Sequence, residues 1–254
     1  MDNRLSILVY SCHKNKDMWQ IFNTLFKKYW SDCGFRLLLL TDKNDAEYSE
    51  GFDDVVELDS TWYNMLMVGI EKAGTPYVSL WMDDYLLSDY VKNSDIDYYL
   101  DKAEKYNVAN IRFHESSMIK SSPYSEDDEL TIYEPGTAYS FTTQVGIWSA
   151  AFLKNVIKEE WSPWDFERVG SVEVKDYKHP LLGTKKYSFP YVEGVRRGKW
   201  LPDGAALCEA NGVKVDYSVR PKVNMYEKMV MWLKSFILSL NPTLVQKIQN
   251  LVTR

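Results

Sequence analysis

Cysteine is scarce in this chain: three in 254 residues, at positions 12, 33 and 208. A scattered, odd-numbered set without a CxxC pair excludes a disulfide framework and a zinc knuckle. It fits a reducing compartment, and a cytoplasmic location is expected. Histidine is as rare, with only His13, His114 and His179. No apolar run reaches the roughly 18 residues that would suggest a membrane span. The opening Met-Asp-Asn-Arg leads into a strand-like segment without a signal-peptide layout. Three common fingerprints are missing too. Without GxGxxG after the first strand a nicotinamide dehydrogenase is disfavoured. Without GxxxxGK[ST] so is a P-loop phosphotransferase, and without GxSxG so is the usual serine-hydrolase elbow. Nor is there an excess of positive charge. Thirty Lys and Arg against 36 Asp and Glu leave −6, which argues against nucleic acid as a partner.

What is present is a globular balance, 45% hydrophobic and 26% charged, which excludes wholesale disorder. Aromatics reach 15%, with 18 Tyr and 9 Trp. Such rings fill cores, and they also line sugar and nucleotide sites by stacking. The charge is uneven: residues 214–254 carry +5 and the rest of the chain −11. A basic, apolar tail on an acidic body suggests a surface contact, an anionic membrane being one candidate.

Short apolar runs alternate with helical patterns in the first third. Strands are expected at 5–10 (LSILVY), 35–40 (FRLLLL), 54–58 (DVVEL) and 77–82 (YVSLWM), with helices at 17–30 and 61–72. This order predicts an α/β fold, a mostly parallel sheet covered by helices on both faces. Ligands of such sheets sit at the carboxyl ends of the strands. The polar residues there are Ser11 to Asn15, Asp42 and Asp83-Asp84. Further on, a helix is expected at 94–106 and a strand at 108–113. The polar stretch 115–136 reads as a long loop or irregular hairpin near the site. Helices follow at 149–158, 162–170 and 202–211, with a last strand at 213–217.

Adjacent carboxylates such as Asp83 and Asp84 repel each other unless a cation lies close, and a divalent metal bridging to a diphosphate is a common solution. The bland alternative is a strand-end turn with one Asp as a cap. In Ser162-Pro163-Trp164-Asp165-Phe166-Glu167, Ser162 suits an N-cap and Pro163 the first turn. Asp165 and Glu167 then lie where a helix favours ionised carboxylates, as a general base requires. Acids are also common at helix starts for no catalytic reason. Trp164 and Phe166 between them fit a sugar-facing surface or the core. His13 follows the first strand and suits a base or phosphate contact; His179 suits a metal as neutral imidazole. Arg196-Arg197-Gly198-Lys199 forms a basic loop that suits a diphosphate or bulk solvent. Residues 225–240 carry an apolar stripe flanked by lysines, fitting a membrane interface, the protein's own core or a second subunit.

Together LSILVYSCHKN, FRLLLLTD, YVSLWMDDYLL and TTQVGIWSAAFLKNVIKEEWSPWDFE resemble a GT-A type glycosyltransferase of bacterial surface-polysaccharide (capsule or O-antigen) synthesis. The resemblance covers about residues 5–217, generic in its first half and more specific in SPWDFE. It implies a GT-A domain over 1–217, with 218–254 as a helical tail. It implies hexosyl transfer, inverting in type, from a nucleotide-diphosphate sugar, UDP-sugar first, to a saccharide or lipid-linked saccharide. Ser11, His13 and Asp42 would lie near base and ribose, and Asp83 and Asp84 in the metal-holding DxD region. Arg196 and Lys199 would cover the diphosphate, and Asp165 or Glu167 would be the base. Asp84 with His179 is the expected set for Mn²⁺ or Mg²⁺. The DxD itself departs from the pattern, reading Met82-Asp83-Asp84-Tyr85, which leaves metal dependence open. Peripheral contact with the inner membrane face would bring the enzyme to a lipid-linked acceptor. Two other classes remain: a non-catalytic glycan- or partner-binding module, and a nucleotide-sugar hydrolase.

Overall fold

The computed structural model describes residues 2–113, 119, 121–227 and 229. They fall into two units, residues 2–113, 119 and 121–192 in the first and 193–227 and 229 in the second. The boundary expected at 217/218 lies inside the second unit.

The first unit opens with β1 (Leu5–Tyr10), α1 (Lys16–Tyr29), β2 (Arg36–Thr41), β3 (Asp54–Glu57), α2 (Trp62–Ala73) and β4 (Tyr77–Met82). These strands pair in parallel in the order β3-β2-β1-β4. β1, β2 and β4 are almost wholly buried because both faces are covered, whereas the edge strand β3 is only partly so. Leu8, Leu38, Leu40, Val78 and Leu80 join a core with α2. On the other face, the Trp81 ring lies 5.9 Å from both Phe22 and Phe26 of α1. Thr61 caps α2 by accepting the Asn64 N–H, and Gly74, at φ +64, ends it. Gly69 lets α2 lie close on the sheet, since a Cβ there would meet Leu40 Cδ2 at 2.8 Å.

Next come β5 (Tyr85–Leu87), α3 (Asn93–Lys105), β6 (Asn110–Arg112), β7 (Ser121–Tyr124), β8 (Asp127–Tyr133) and β9 (Gly146–Ser149). They are followed by α4 (Ala150–Val156), α5 (Pro163–Asp165), α6 (Ser171–Glu173), β10 (Leu181–Thr184) and β11 (Tyr191–Glu193). The main sheet has nine strands, continuing from β4 as β9-β6-β10-β8-β7, and β5 pairs with β11. Only β8 and β9 run against the rest. The expected architecture is therefore present, a mixed α/β fold on a largely parallel sheet. Sequence periodicity does not reveal β9, which enters late and antiparallel between β4 and β6, pairing Tyr77 with Ser149 and Arg112 with Gly146. Its first residues consequently lie at the edge where β4 and β6 end.

Three expectations need correction. The described part of 115–136 is the β7–β8 hairpin, the second of the two forms expected, but it lies at the sheet margin with three strands between it and β4, rather than near the site. The helix expected at 162–170 forms as α5 and α6 joined by a π-helical turn, Phe166–Gly170. Residues 213–217 are not a strand. Gly212 turns the chain at φ +65, the Val213 N–H returns to Cys208 O, and Asp216 folds the next turn by accepting from Ser218 N–H at 2.8 Å.

The second unit contains β12 (Val195–Arg196), β13 (Lys199–Trp200) and α7 (Pro202–Ala210). The basic stretch expected as a loop is a tight hairpin turning on Arg197 and Gly198, both left-handed. Beyond Met229 the expected amphipathic segment 225–240 lies outside the described residues.

Candidate active site

The carboxyl ends of β1, β2 and β4 converge as their parallel order requires. Asp83, just past β4, is 7% exposed. Its Oδ2 accepts a short hydrogen bond from Ser11 Oγ, and that oxygen accepts from Trp19 Nε1 at 2.6 Å. Asp42, after β2, accepts the His13 backbone N–H at 2.6 Å and the Thr41 hydroxyl at 3.2 Å. Burial would raise the Asp42 pKa, but these donors with its own and Lys43's backbone N–H hold it below the ordinary value. The Tyr10 phenol and Cys12 thiol are both pushed up, first by burial and then by nearby charges that include Asp42 and Asp83. Ser11 and Asp83 are thus joined by a hydrogen bond at the carboxyl ends of β1 and β4, and Asp42 lies at that of β2, tied to the His13 backbone. The His13 ring instead has Nε2 3.9 Å from Asp45.

Opposite this group stands Glu167. The π-helical turn that carries it is anchored by Phe166, which is fully buried against Phe141, Trp148 and Trp62. Glu167 Oε1 accepts the Thr143 N–H at 2.7 Å, the Thr143 hydroxyl at 2.8 Å and, more weakly, the Thr142 hydroxyl at 3.4 Å. Among the described residues Oε2 accepts no hydrogen bond. Thr142 and Thr143 precede β9, so the antiparallel course of β9 delivers Glu167 to the edge where β4 ends. Tyr85 links the two sides. Burial raises its phenol pKa, and so do the charges of Tyr191, Asp84 and Glu167, while the Thr143 side chain beside its hydroxyl opposes the shift. A small apolar pocket lined by Tyr10, Met82, Trp62 and Thr143 also spans both sides.

Asp165 is a helix cap. Its Oδ2 accepts from Ser162 N–H at 3.0 Å and Ser162 Oγ at 2.6 Å, and its own N–H returns to Ser162 Oγ at 3.2 Å. The two aromatics of SPWDFE divide. Phe166 is core, whereas Trp164 is 72% exposed. His179 lies before β10, whose Leu181 pairs with Asn110 of β6. Its Nδ1 is 2.8 Å from Asn107 O. This is the amino-end margin of the parallel strands, the opposite margin from Asp84, so the structure does not bring Asp84 and His179 together. Among the described residues no three His, Cys, Asp or Glu side chains gather as a metal site. With Asp83 engaged by Ser11, the donors among the described residues do not fit a resident cation. Arg196 and Lys199 belong to the second unit, where they pair with Glu193 and Glu227.

Thr142, Thr143, Tyr85 and Arg112 escape a reading by residue type. Hydroxyls and tyrosines are too common to signal a site. A charge at the end of an apolar strand is the signal by which Arg112 could have been singled out.

No protein-family profile matches the chain, and no curated protein matches it. Solved structures align at low similarity. TarS 1–349 of S. aureus is 13% identical, with 74% of this chain and 59% of that one covered at a TM-score of 0.48. The same protein in complex with UDP gives 14% identity, 66% and 52% coverage, and 0.40. A cytidylyltransferase of Leptospira borgpetersenii gives 8% identity, 88% and 99% coverage, and 0.45. The chain thus spans about three-fifths of TarS 1–349. Identities this low and TM-scores below 0.5 leave function to the site itself.

Proposed function

We propose that this chain is a glycosyltransferase of GT-A type. It moves a hexosyl group from a nucleotide-diphosphate sugar, UDP-sugar first, to a hydroxyl of a saccharide or lipid-linked saccharide in surface-polysaccharide synthesis. The observation that carries this reading is Glu167: one carboxylate oxygen is fixed by Thr142 and Thr143, and the other is left for a proton, beside the carboxyl end of β4. A general base needs that geometry. Asp42, Asp84 and the first turn after β1 form the donor side, and the exposed Trp164 offers the acceptor a flat apolar face.

The step is a direct displacement. The acceptor oxygen forms a bond to the anomeric carbon as the bond from that carbon to the diphosphate oxygen breaks. The leaving nucleoside diphosphate keeps the electron pair, and Glu167 Oε2 takes the hydroxyl proton. Single displacement inverts the anomeric centre. The test pairs thermal denaturation with a transfer assay. UDP at millimolar concentration should raise the melting temperature, since a ligand of the folded state alone stabilises it by mass action. A panel of UDP-sugars and glycan acceptors should then yield a new glycoside. Coincident melting curves for every nucleoside diphosphate would sink the donor claim. Free sugar released at full rate without acceptor would mark a hydrolase, and nucleotide binding without any turnover a binding module.

A further inference from the structure

Arg112 ends β6 at the margin that carries the site, and it is 3% exposed. Among the described residues it forms no ion pair. Its Nη2 donates to Tyr139 O at 2.9 Å, its guanidinium carbon lies 5.1 Å from the centre of the Tyr133 ring, and its Nε is buried without a hydrogen-bond partner. An unpaired buried cation is costly to keep, so its neighbours matter. Its cross-strand partners on both sides are glycines, Gly146 of β9 and Gly183 of β10. A Cβ at Gly146 would meet Ile111 O at 2.6 Å, and one at Gly183 would meet the Tyr133 hydroxyl at 2.6 Å. The sheet is pared down around the Arg112–Tyr133 stack.

Tyr139 faces both ways. Its carbonyl accepts from Arg112, and its N–H donates to the Glu167 carbonyl at 3.0 Å. It does so at φ +65, a left-handed conformation that non-glycine residues adopt only when held there. Three and four residues further on, Thr142 and Thr143 hold the Glu167 carboxylate. We propose that Arg112 is a positioning residue: through the Tyr139 backbone it fixes the segment 139–143, and with it the direction of the Glu167 carboxylate. In support, burial lowers the Arg112 pKa while Tyr133 and the Glu167 charge oppose that shift, so the two side chains sense each other.

The kinetic part of this proposal rests on Glu167 as the base; the structural part does not, and two readouts separate them. By amide hydrogen exchange, Arg112→Met should speed the Thr143 and Tyr139 N–H groups at least tenfold, with β1 and β4 unchanged. In the transfer assay the same variant should lose roughly 10²-fold in kcat, with acceptor KM and the UDP-induced melting shift retained. Arg112→Lys, which keeps a charged donor, should fall between and serves if the Met variant does not fold. Unchanged Thr143 exchange, or equal acceleration throughout the sheet, overturns the proposal. Local acceleration in Arg112→Met, with a wild-type protein that transfers no sugar, upholds the positioning role and overturns the function proposed above.

Discussion

A carboxylate anchored through one oxygen has a defined direction for the other, and that separates Glu167 from Asp165. The two are alike in sequence, two residues apart in one helical start. Only the partners differ. Ser162 engages Asp165, and the Thr142-Thr143 pair, some two dozen residues upstream, engages Glu167. The SPWDFE segment was legible as a candidate, but the choice within it was not, because it depends on where β9 enters the sheet. Glu167→Gln should therefore lower turnover by roughly 10²-fold, the scale of a general base, with the UDP-induced melting shift intact. Asp165→Ala should keep turnover within about twofold yet cost ~1 kcal/mol of stability as a lost cap. Ser162 holds the Asp165 pKa below the ordinary 3.8. A lowered carboxylate stabilises the fold above its unfolded pKa and loses that contribution as pH falls through the folded value. The melting difference between Asp165→Ala and wild type should thus be complete at pH 6 and shrink below pH 3.8. Equal melting at pH 6, or a 10²-fold loss of turnover, would return Asp165 to the catalytic list.

Among the elements, the first four strands and two helices were readable because β1, β2 and β4 are short apolar runs buried on both faces, α1 repeats apolar residues at helical spacing, and α2 runs from a Thr61 cap to Gly74. The segments that escaped are those whose fate is decided by distant partners. β9 owes its place to Val78 and Arg112, with which it pairs or abuts, and the β7–β8 hairpin, besides burying Leu130 and Tyr133, is tied to α3 by charge. Lys102 of α3, 8% exposed, donates to Asp127 at 2.6 Å and Glu129 at 2.7 Å. Removing one partner of a buried pair leaves the other uncompensated. Asp127→Asn should cost about 2–3 kcal/mol, below the fully buried case because Glu129 remains. Burial would raise the Asp127 pKa, but Lys102 and the Glu129 N–H hold it low. The penalty should accordingly be present at pH 7 and fade in acid below the ordinary aspartate value. Denaturant titrations at pH 7 and pH 3 check this, and equal penalties at both would refute the ion-pair account. Trp164 makes a contrasting case, since a ring 72% exposed has little core to lose. Trp164→Ala should leave the melting temperature unchanged and raise acceptor KM about tenfold, the worth of one ring stack; an unchanged KM would make it an ordinary surface aromatic.

At the scale of the whole molecule the proposed activity on a lipid-linked saccharide raises the question of how the chain would stay near its acceptor. No described helix is long and apolar enough to cross a membrane. The basic stretch from Lys214 onward, at +5, is attached to a body at −11. Where the tail begins, Met225, Tyr226 and Met229 are 80%, 70% and 57% exposed. Large apolar side chains exposed in a stretch whose sequence also carries Lys222, Lys228 and Lys234 are what an anionic membrane surface would take up. Each lysine near such a surface is worth about 1 kcal/mol, and the apolar side chains add to it. Val223 is the natural place to cut, being 8% exposed and tied by its N–H to Trp200 O at 3.0 Å. Among the described residues, deleting 224–254 removes the exposed stretch and the Lys199–Glu227 pair. The truncated protein should lose binding to anionic liposomes while its turnover on a soluble acceptor fragment survives. Salt should weaken the full-length protein's binding without abolishing it, since screening acts on the lysines and not on the apolar contacts. If the tail instead packs on the body or on a second copy, the outcome reverses: the full-length protein ignores liposomes, and the truncated one unfolds or changes its oligomeric state. Liposome co-sedimentation of both proteins at low and high salt, read beside their sedimentation in solution, decides between a membrane contact and a protein contact.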